Sequence, residues 1–195
     1  MPQVRYSLSG KNMIVWNEQQ PDFRRTPVNE LLPDLPFTTA CAVILSPGCS
    51  PLVVISRAVF GSLWDHLTEQ PIEMGGLLIG RVHELEPAGS RFVVSVEDHA
   101  RGEEFDGTNV SLRLNAKVWE AARAKRKCDR SVVGWYHSHP NLGAFFSGTD
   151  RRTQAAFFNQ PHSLGLVVDP VRKEEKWFLG EHSDQLDASR ILIFN

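Results

Sequence analysis

Proline limits what this chain can fold into more sharply than any other residue. Five of the twelve prolines, Pro2, Pro21, Pro27, Pro33 and Pro36, fall within the first 36 residues. A proline inside a helix removes a backbone donor and clashes with the preceding turn, so this stretch cannot form a long helix. Val4, Tyr6 and Leu8 alternate, Ser9 to Asn12 reads as a turn, and Met13 to Trp16 is apolar. That pattern predicts a hairpin followed by an extended arm. Residues 1–36 are therefore read as a proline-rich arm, and residues 37–195 as the domain that follows it.

The whole chain has 195 residues, 42% apolar and 23% charged, with a formal net charge of -2. A chain of this size buries a substantial core. Its apolar fraction is too high and its net charge too low for a disordered chain. No run approaches the ~20 apolar residues that span a bilayer, so no membrane partner is expected. The first residues lack the apolar core of a signal peptide, which predicts a cytoplasmic protein. The near-balanced charge argues against nucleic acid as the main partner, because phosphate binding requires a basic excess. Cys41, Cys49 and Cys128 include no CxxC pair and build no disulfide framework, so they are read as idle thiols.

Beyond residue 40 the elements become legible. Ala42 to Leu45, Leu52 to Ile55, Leu77 to Ile79 and Phe92 to Val96 are apolar strand candidates. Ser56 reads as a helix N-cap, with Val59, Phe60, Leu63, Trp64 and Leu67 at helical spacing behind it. Ile55 and Phe60 fit a hydrophobic staple. Asp98 to Asn109 reads as an acidic loop, and Asn115 as the cap of a second helix. Ser131 to His139 reads as a strand and Thr149 to Asn159 as a third helix. Leu164 to Val168, Lys176 to Leu179 and Ile191 to Phe194 are further strands. Without a regular βα repeat, this is an α/β or α+β fold: one mixed β-sheet flanked by helices.

The segment that carries chemistry runs from Gly134 to Pro140 and continues through Ser147 to Asp150. Strand side chains alternate, so His137 and His139 project from one face, close enough to share an ion. Asp150 falls in the first turn of the next helix, where the helix dipole favours a carboxylate. Two imidazoles and a carboxylate suit Zn²⁺, and three protein ligands leave a fourth position for water, as in catalytic zinc sites. An HxH pair on a strand is equally compatible with two half-exposed histidines. His66, His83, His99, His162 and His182 show no ligand spacing and are read as ordinary histidines.

His137-Ser138-His139-Pro140, then Ser147, then Asp150 resembles the JAMM (MPN+) motif of the JAB-domain zinc isopeptidases. Glu73-Met74-Gly75-Gly76 and the strand after it are similar to that family's upstream glutamate segment. Val133 to Tyr136 and Leu166 to Pro170 resemble the family's proteasome-lid deubiquitinase branch, and the likeness covers roughly residues 51–180. The size, a bare domain plus an arm, looks more like the bacterial JAB-type deconjugating enzymes.

The resemblance implies an MPN/JAB-type, cytidine-deaminase-like fold. It implies that His137, His139 and Asp150 hold Zn²⁺, that Glu73 is the general acid/base, and that Ser147 donates to the oxyanion. The activity implied is hydrolysis of the bond between the C-terminus of ubiquitin or a ubiquitin-like protein and a target amine. Ubiquitin-like conjugates, and E1- or E2-like proteins of the same pathway, are the partners implied. Phe145 and Phe146 occupy the family's apolar groove positions, though core positions read the same way. Glu103, Glu104 and Asp106 lie in the family's first insertion and either meet a basic substrate tail or form a solvated loop. Two other readings stay open: a catalytically silent MPN scaffold, and a zinc amidase acting on a sulfur-carrier conjugate or a short peptide.

Overall fold

A computed structural model describes residues 25–45, 52–85, 91–102, 116–125 and 129–195. The hairpin expected over Val4 to Trp16, the Asn115 cap, and Glu103, Glu104 and Asp106 lie outside the described residues.

Among the described residues, nine strands form one mixed sheet: β1 (Arg25–Pro27), β2 (Leu52–Ser56), β3 (Gly75–Glu84), β4 (Phe92–Arg101), β5 (Ser131–Ser138), β6 (Leu164–Asp169), β7 (Glu174–Leu179), β8 (Asp184–Gln185) and β9 (Ile191–Phe194). Their order is β8-β7-β6-β5-β3-β4-β2-β9. β1 joins β3 beyond the end of β5. The β3–β4, β3–β5 and β6–β7 pairs are antiparallel, whereas β5–β6, β2–β4 and β2–β9 are parallel. Four α-helices among the described residues accompany the sheet: α1 (Phe37–Leu45), α2 (Arg57–Thr68), α3 (Ala116–Lys125) and α4 (Gly148–Phe157).

The sheet buries both faces. On one, Leu63 and Leu67 of α2 pack with Val53, Ile55, Leu78, Val94, Leu166 and Val168. On the other, Val118 and Ala122 of α3 pack with Leu77, Ile79, Trp135, Phe146, Val167 and Phe178. A third cluster joins Leu31 and Val43 to Leu52, Val54 and Val93, so the stretch before α1 packs onto the domain. Strands buried on both sides read as continuous apolar runs, which is why Leu52 to Ile55 and Leu164 to Val168 were legible.

Ser56 caps α2 by accepting the Val59 N–H at 3.2 Å, and Ile55 and Phe60 join the same cluster. Two expectations differ. Ala42 to Leu45 is the end of α1, not a strand; a short apolar run carries no period that separates the two states. β4 continues to Arg101 through residues read as loop, because Asp98 and His99 pair with Ile79 and Leu78. The polar side chains there find partners: Asp98 meets Lys125 at 3.0 Å.

His66, His83 and His99, buried outside the motif, are hydrogen-bonded core residues. Ser62 Oγ meets His99 Nε2 at 3.0 Å, and Tyr136 Oη meets Nδ1 of both His99 and His66 at 2.9 Å. His83 sits between Thr26 Oγ1 at 2.8 Å and Ser95 Oγ at 3.1 Å.

A bulge in β5 orients the site. Leu78 pairs with Gly134 but Ile79 pairs with Val132, leaving Val133 as the extra residue. A bulge shifts the side-chain alternation by one. Val133 therefore joins Tyr136 in the α2-side cluster, and Trp135 faces the α3 side.

Candidate metal centre

His137 and His139 lie at the end of β5, and Asp150 in the first turn of α4. Their ligand atoms all fall within 4.8 Å of one another, and all three residues are buried. His137 Nε2 is 3.2 Å from His139 Nε2, and Asp150 Oδ1 and Oδ2 lie 3.3 and 3.6 Å from the two rings. Tetrahedral bonds of ~2.0–2.1 Å place neighbouring ligand atoms about 3.3 Å apart, so the three fit one zinc-sized ion. The donor set of two imidazoles and a carboxylate suits the same metal.

The local sequence explains each placement. Trp135 precedes His137 by two residues on the same face, and the two rings stack 4.6 Å apart, 7° from parallel. Trp135 Nε1 donates to Gln154 Oε1 at 2.6 Å. The fully buried Gln154 amide in turn donates to the carbonyls of Phe158, Ser163 and Gly180, tying α4 to the ligand strand. Ser147 and Asp150 form a capping box. Ser147 Oγ accepts the Asp150 N–H at 3.2 Å, and Asp150 Oδ2 accepts the Ser147 N–H at 2.6 Å. Two backbone donors at the helix start are satisfied together, and the carboxylate is fixed in rotamer.

Glu73 precedes β3, with Oε1 3.9 Å from His139 Nε2. Its position depends on the middle residue of the His-Ser-His triplet. Ser138 points to the opposite face, is fully buried, and accepts the Met74 N–H at 3.0 Å, while its own N–H donates to the Met74 carbonyl at 2.8 Å. One residue thus fastens the glutamate segment to the ligand strand. Sequence reading passed over Ser138 and Gln154. The signal for Ser138 was its period: a hydroxyl between two same-face ligands must point inward and find a partner there.

Burial raises the Glu73 carboxyl above the ordinary glutamate value, with His137 pulling it down and Asp150 pushing it up. Asp150 also suffers burial, but hydrogen bonding and charge from His137, with the two Ser147 contacts, outweigh it and hold the group at about 2. Burial and the neighbouring His137 bring His139 down to about 4, against smaller opposing contributions from Asp150, the Gly143 carbonyl and Asp169. A neutral His139 beside an ionised Asp150 is the protonation state a metal requires.

The two phenylalanines part company. Phe146 is buried, stacked on Phe178 at 4.0 Å and tilted against Trp135 and His137 at 5.5 and 6.1 Å. It is a core residue under the site rather than a groove residue. Phe145 is 44% exposed, with its ring 5.0 Å from His139.

Comparison with known proteins agrees with this arrangement. The Prok-JAB family, prokaryotic homologs of the JAB domain, matches residues 56–179. Ubiquitin carboxyl-terminal hydrolase RPN11 of Saccharomyces cerevisiae is 32% identical over 108 residues, covering 52% of this chain and 33% of that protein. COP9 signalosome complex subunit 5 of Drosophila melanogaster is 32% identical over 111 residues, covering 52% of this chain and 31% of that protein. The chain thus spans about a third of the length of these relatives. The solution structure of protein DSY2949 from Desulfitobacterium hafniense shows the same fold, with a TM-score of 0.55 at 22% identity, over 73% of this chain and 92% of that one. With more than half of its length matched, including every residue of the metal centre, the chain belongs to the prokaryotic JAB-domain family.

Proposed function

We propose that this protein is a zinc-dependent isopeptidase that hydrolyses the bond between the C-terminus of ubiquitin or a ubiquitin-like protein and a target amine. One observation carries the reading: a raised glutamate carboxyl stands 3.9 Å from a ligand of a three-residue metal cage. Similarity to a ubiquitin carboxyl-terminal hydrolase supports the substrate class.

A bound zinc would supply a water acidic enough to ionise near neutral pH and a Lewis acid for the carbonyl oxygen. His137, His139 and Asp150 would hold the ion. Glu73 accepts the proton of the attacking water and later delivers it to the leaving amine, a task suited to a raised carboxyl. Ser147 uses its oxygen lone pair to cap α4, and its hydroxyl proton remains available to the oxyanion of the attacked carbonyl. Phe145 offers an exposed apolar ring beside the ligands for the substrate's tail.

The test is Glu73→Gln, measured on a ubiquitin-like protein joined through its C-terminal glycine to a fluorogenic amine. The variant should keep one zinc per chain by elemental analysis and lose roughly 10²–10⁴-fold in turnover. Undiminished turnover would sink the mechanism. A wild-type protein that takes up no zinc and stays inert after zinc is restored is a binding scaffold instead.

A further inference from the structure

The ring of His137 offers Nε2 to the metal cage and leaves its second nitrogen without a hydrogen bond. Nε2 lies 3.2 Å from His139 Nε2 and 3.3 Å from Asp150 Oδ1, whereas Nδ1 is buried and bonds to none of the described residues. A metal-binding imidazole is ordinarily oriented by a hydrogen bond from its second nitrogen. Here ring stacking sets the plane. His137 lies on the Trp135 indole, with centroids 4.6 Å apart and planes 7° from parallel. Trp135 is in turn stacked with Phe158, 5.9 Å away and 12° from parallel.

Stacked rings tolerate offset, so stacking fixes the plane of the indole but not its rotation within that plane. Gln154 supplies the missing restraint. It is fully buried on α4, four residues after Asp150 and therefore on the same side of the helix. Its Oε1 accepts the Trp135 Nε1–H at 2.6 Å, and its Nε2 faces the carbonyls of Phe158 and Ser163 at 3.1 Å and of Gly180 at 3.2 Å. An indole nitrogen only donates and a carbonyl only accepts, so the amide has one orientation here. The Phe158 N–H also donates to the Gln154 carbonyl at 2.8 Å. One residue thus holds both Trp135 and the phenylalanine stacked on it.

We infer that Gln154 is a positioning residue of the metal centre: by pinning the Trp135 indole it sets the plane in which His137 presents Nε2, and it does so from the helix that carries Asp150. Two of the three ligands are held in register through this one amide. In its zinc-binding consequence this rests on the proposed function; in its ring-geometry consequence it does not. A glutamate would turn a second oxygen toward three carbonyls. A methionine of similar length would leave the buried indole N–H unpaired.

The experiment compares wild type, Gln154→Met, Trp135→Phe and the double variant. In the metal-free protein, the ring C–H protons of His137 should resonate upfield in wild type, shielded by the stacked indole, and move downfield in Gln154→Met at the same pH. Zinc affinity, read by chelator competition, should weaken about 10–100-fold in Gln154→Met and in Trp135→Phe. Because the two residues act in series, the double variant should be no weaker than the weaker single; independent effects would multiply. A folded Gln154→Met that keeps either the wild-type ring shifts or the wild-type zinc affinity overturns the inference, and so do effects that multiply. If Gln154→Met does not fold, Trp135→Phe decides: it keeps an aromatic ring but no N–H, and wild-type zinc affinity in it overturns the inference. If wild type binds no zinc, the functional reading falls and the His137 ring shifts still decide this one.

Discussion

At Ser147 one hydroxyl serves two interactions, and a substitution separates them. Its oxygen accepts the Asp150 N–H, so Ser147→Ala should cost about 1 kcal/mol of stability, as loss of an N-cap does, measured by denaturant unfolding. Assayed far below the melting temperature, the same variant should lose roughly 10²–10³-fold in turnover if the hydroxyl proton meets the oxyanion. Ser147→Thr, which keeps oxygen and proton, should retain both. Turnover near wild type in Ser147→Ala would reduce the residue to its cap. The place of Asp150 in the first turn of a helix was legible in the sequence because a helix start is local; the capping box it makes with Ser147 is the structure's finding. Ser138 and Gln154 were not legible, because their partners lie 64 and 19 residues away. A buried polar residue declares that it needs a partner but not where that partner is.

At the scale of elements, the site depends on how closely α4 and the loop before it approach β6. Gly165 sits where a Cβ would overlap the Phe146 ring and crowd Gln154 Oε1. Phe146 cannot retreat, because it is stacked on Phe178 and lies against Trp135. Gly165→Ala should therefore destabilise by about 1–3 kcal/mol, the usual range for overpacking a filled core. It should also disturb the Trp135–His137 stack, so loss of near-UV Trp signal should accompany the lower midpoint. An unchanged midpoint would mean that this layer has slack. The strands of this layer were legible from their apolar runs. The contact between a glycine on one strand and a phenylalanine on a loop 19 residues before it was not, since glycine has no side chain to pattern.

For the molecule as a whole, buried histidines set the acid limit. Burial, with Arg81 for His83, Lys125 and Arg101 for His99, and Arg25 for His162, brings each to about 4. In the unfolded chain each titrates near ~6.5. Between these values the unfolded state binds protons that the fold does not, so stability falls as pH drops from about 6.5 toward 4. The slope approaches about 1.4 kcal/mol per pH unit for each group. Above pH 7 these residues contribute no slope. Urea unfolding midpoints across pH 4–8 test this, and a flat profile between 6.5 and 4 would show that the histidines are hydrated in the fold.

The sequence alone determined the parts of this protein that follow from local chemistry. Alternation placed His137 and His139 on one side, a helix start placed Asp150 in its first turn, and apolar runs announced the buried strands. The same locality misread Ala42 to Leu45, where helix and strand share one pattern, and ended β4 too early, where polar side chains have distant partners. Only the tertiary structure decided which face of the sheet the histidines occupy, because the Val133 bulge reverses the alternation just before them. Only it brought Glu73, just before β3, to 3.9 Å from His139, and separated the exposed Phe145 from the buried Phe146. Register, bulges and long-range hydrogen bonds are properties of pairs of segments, and no single segment carries them.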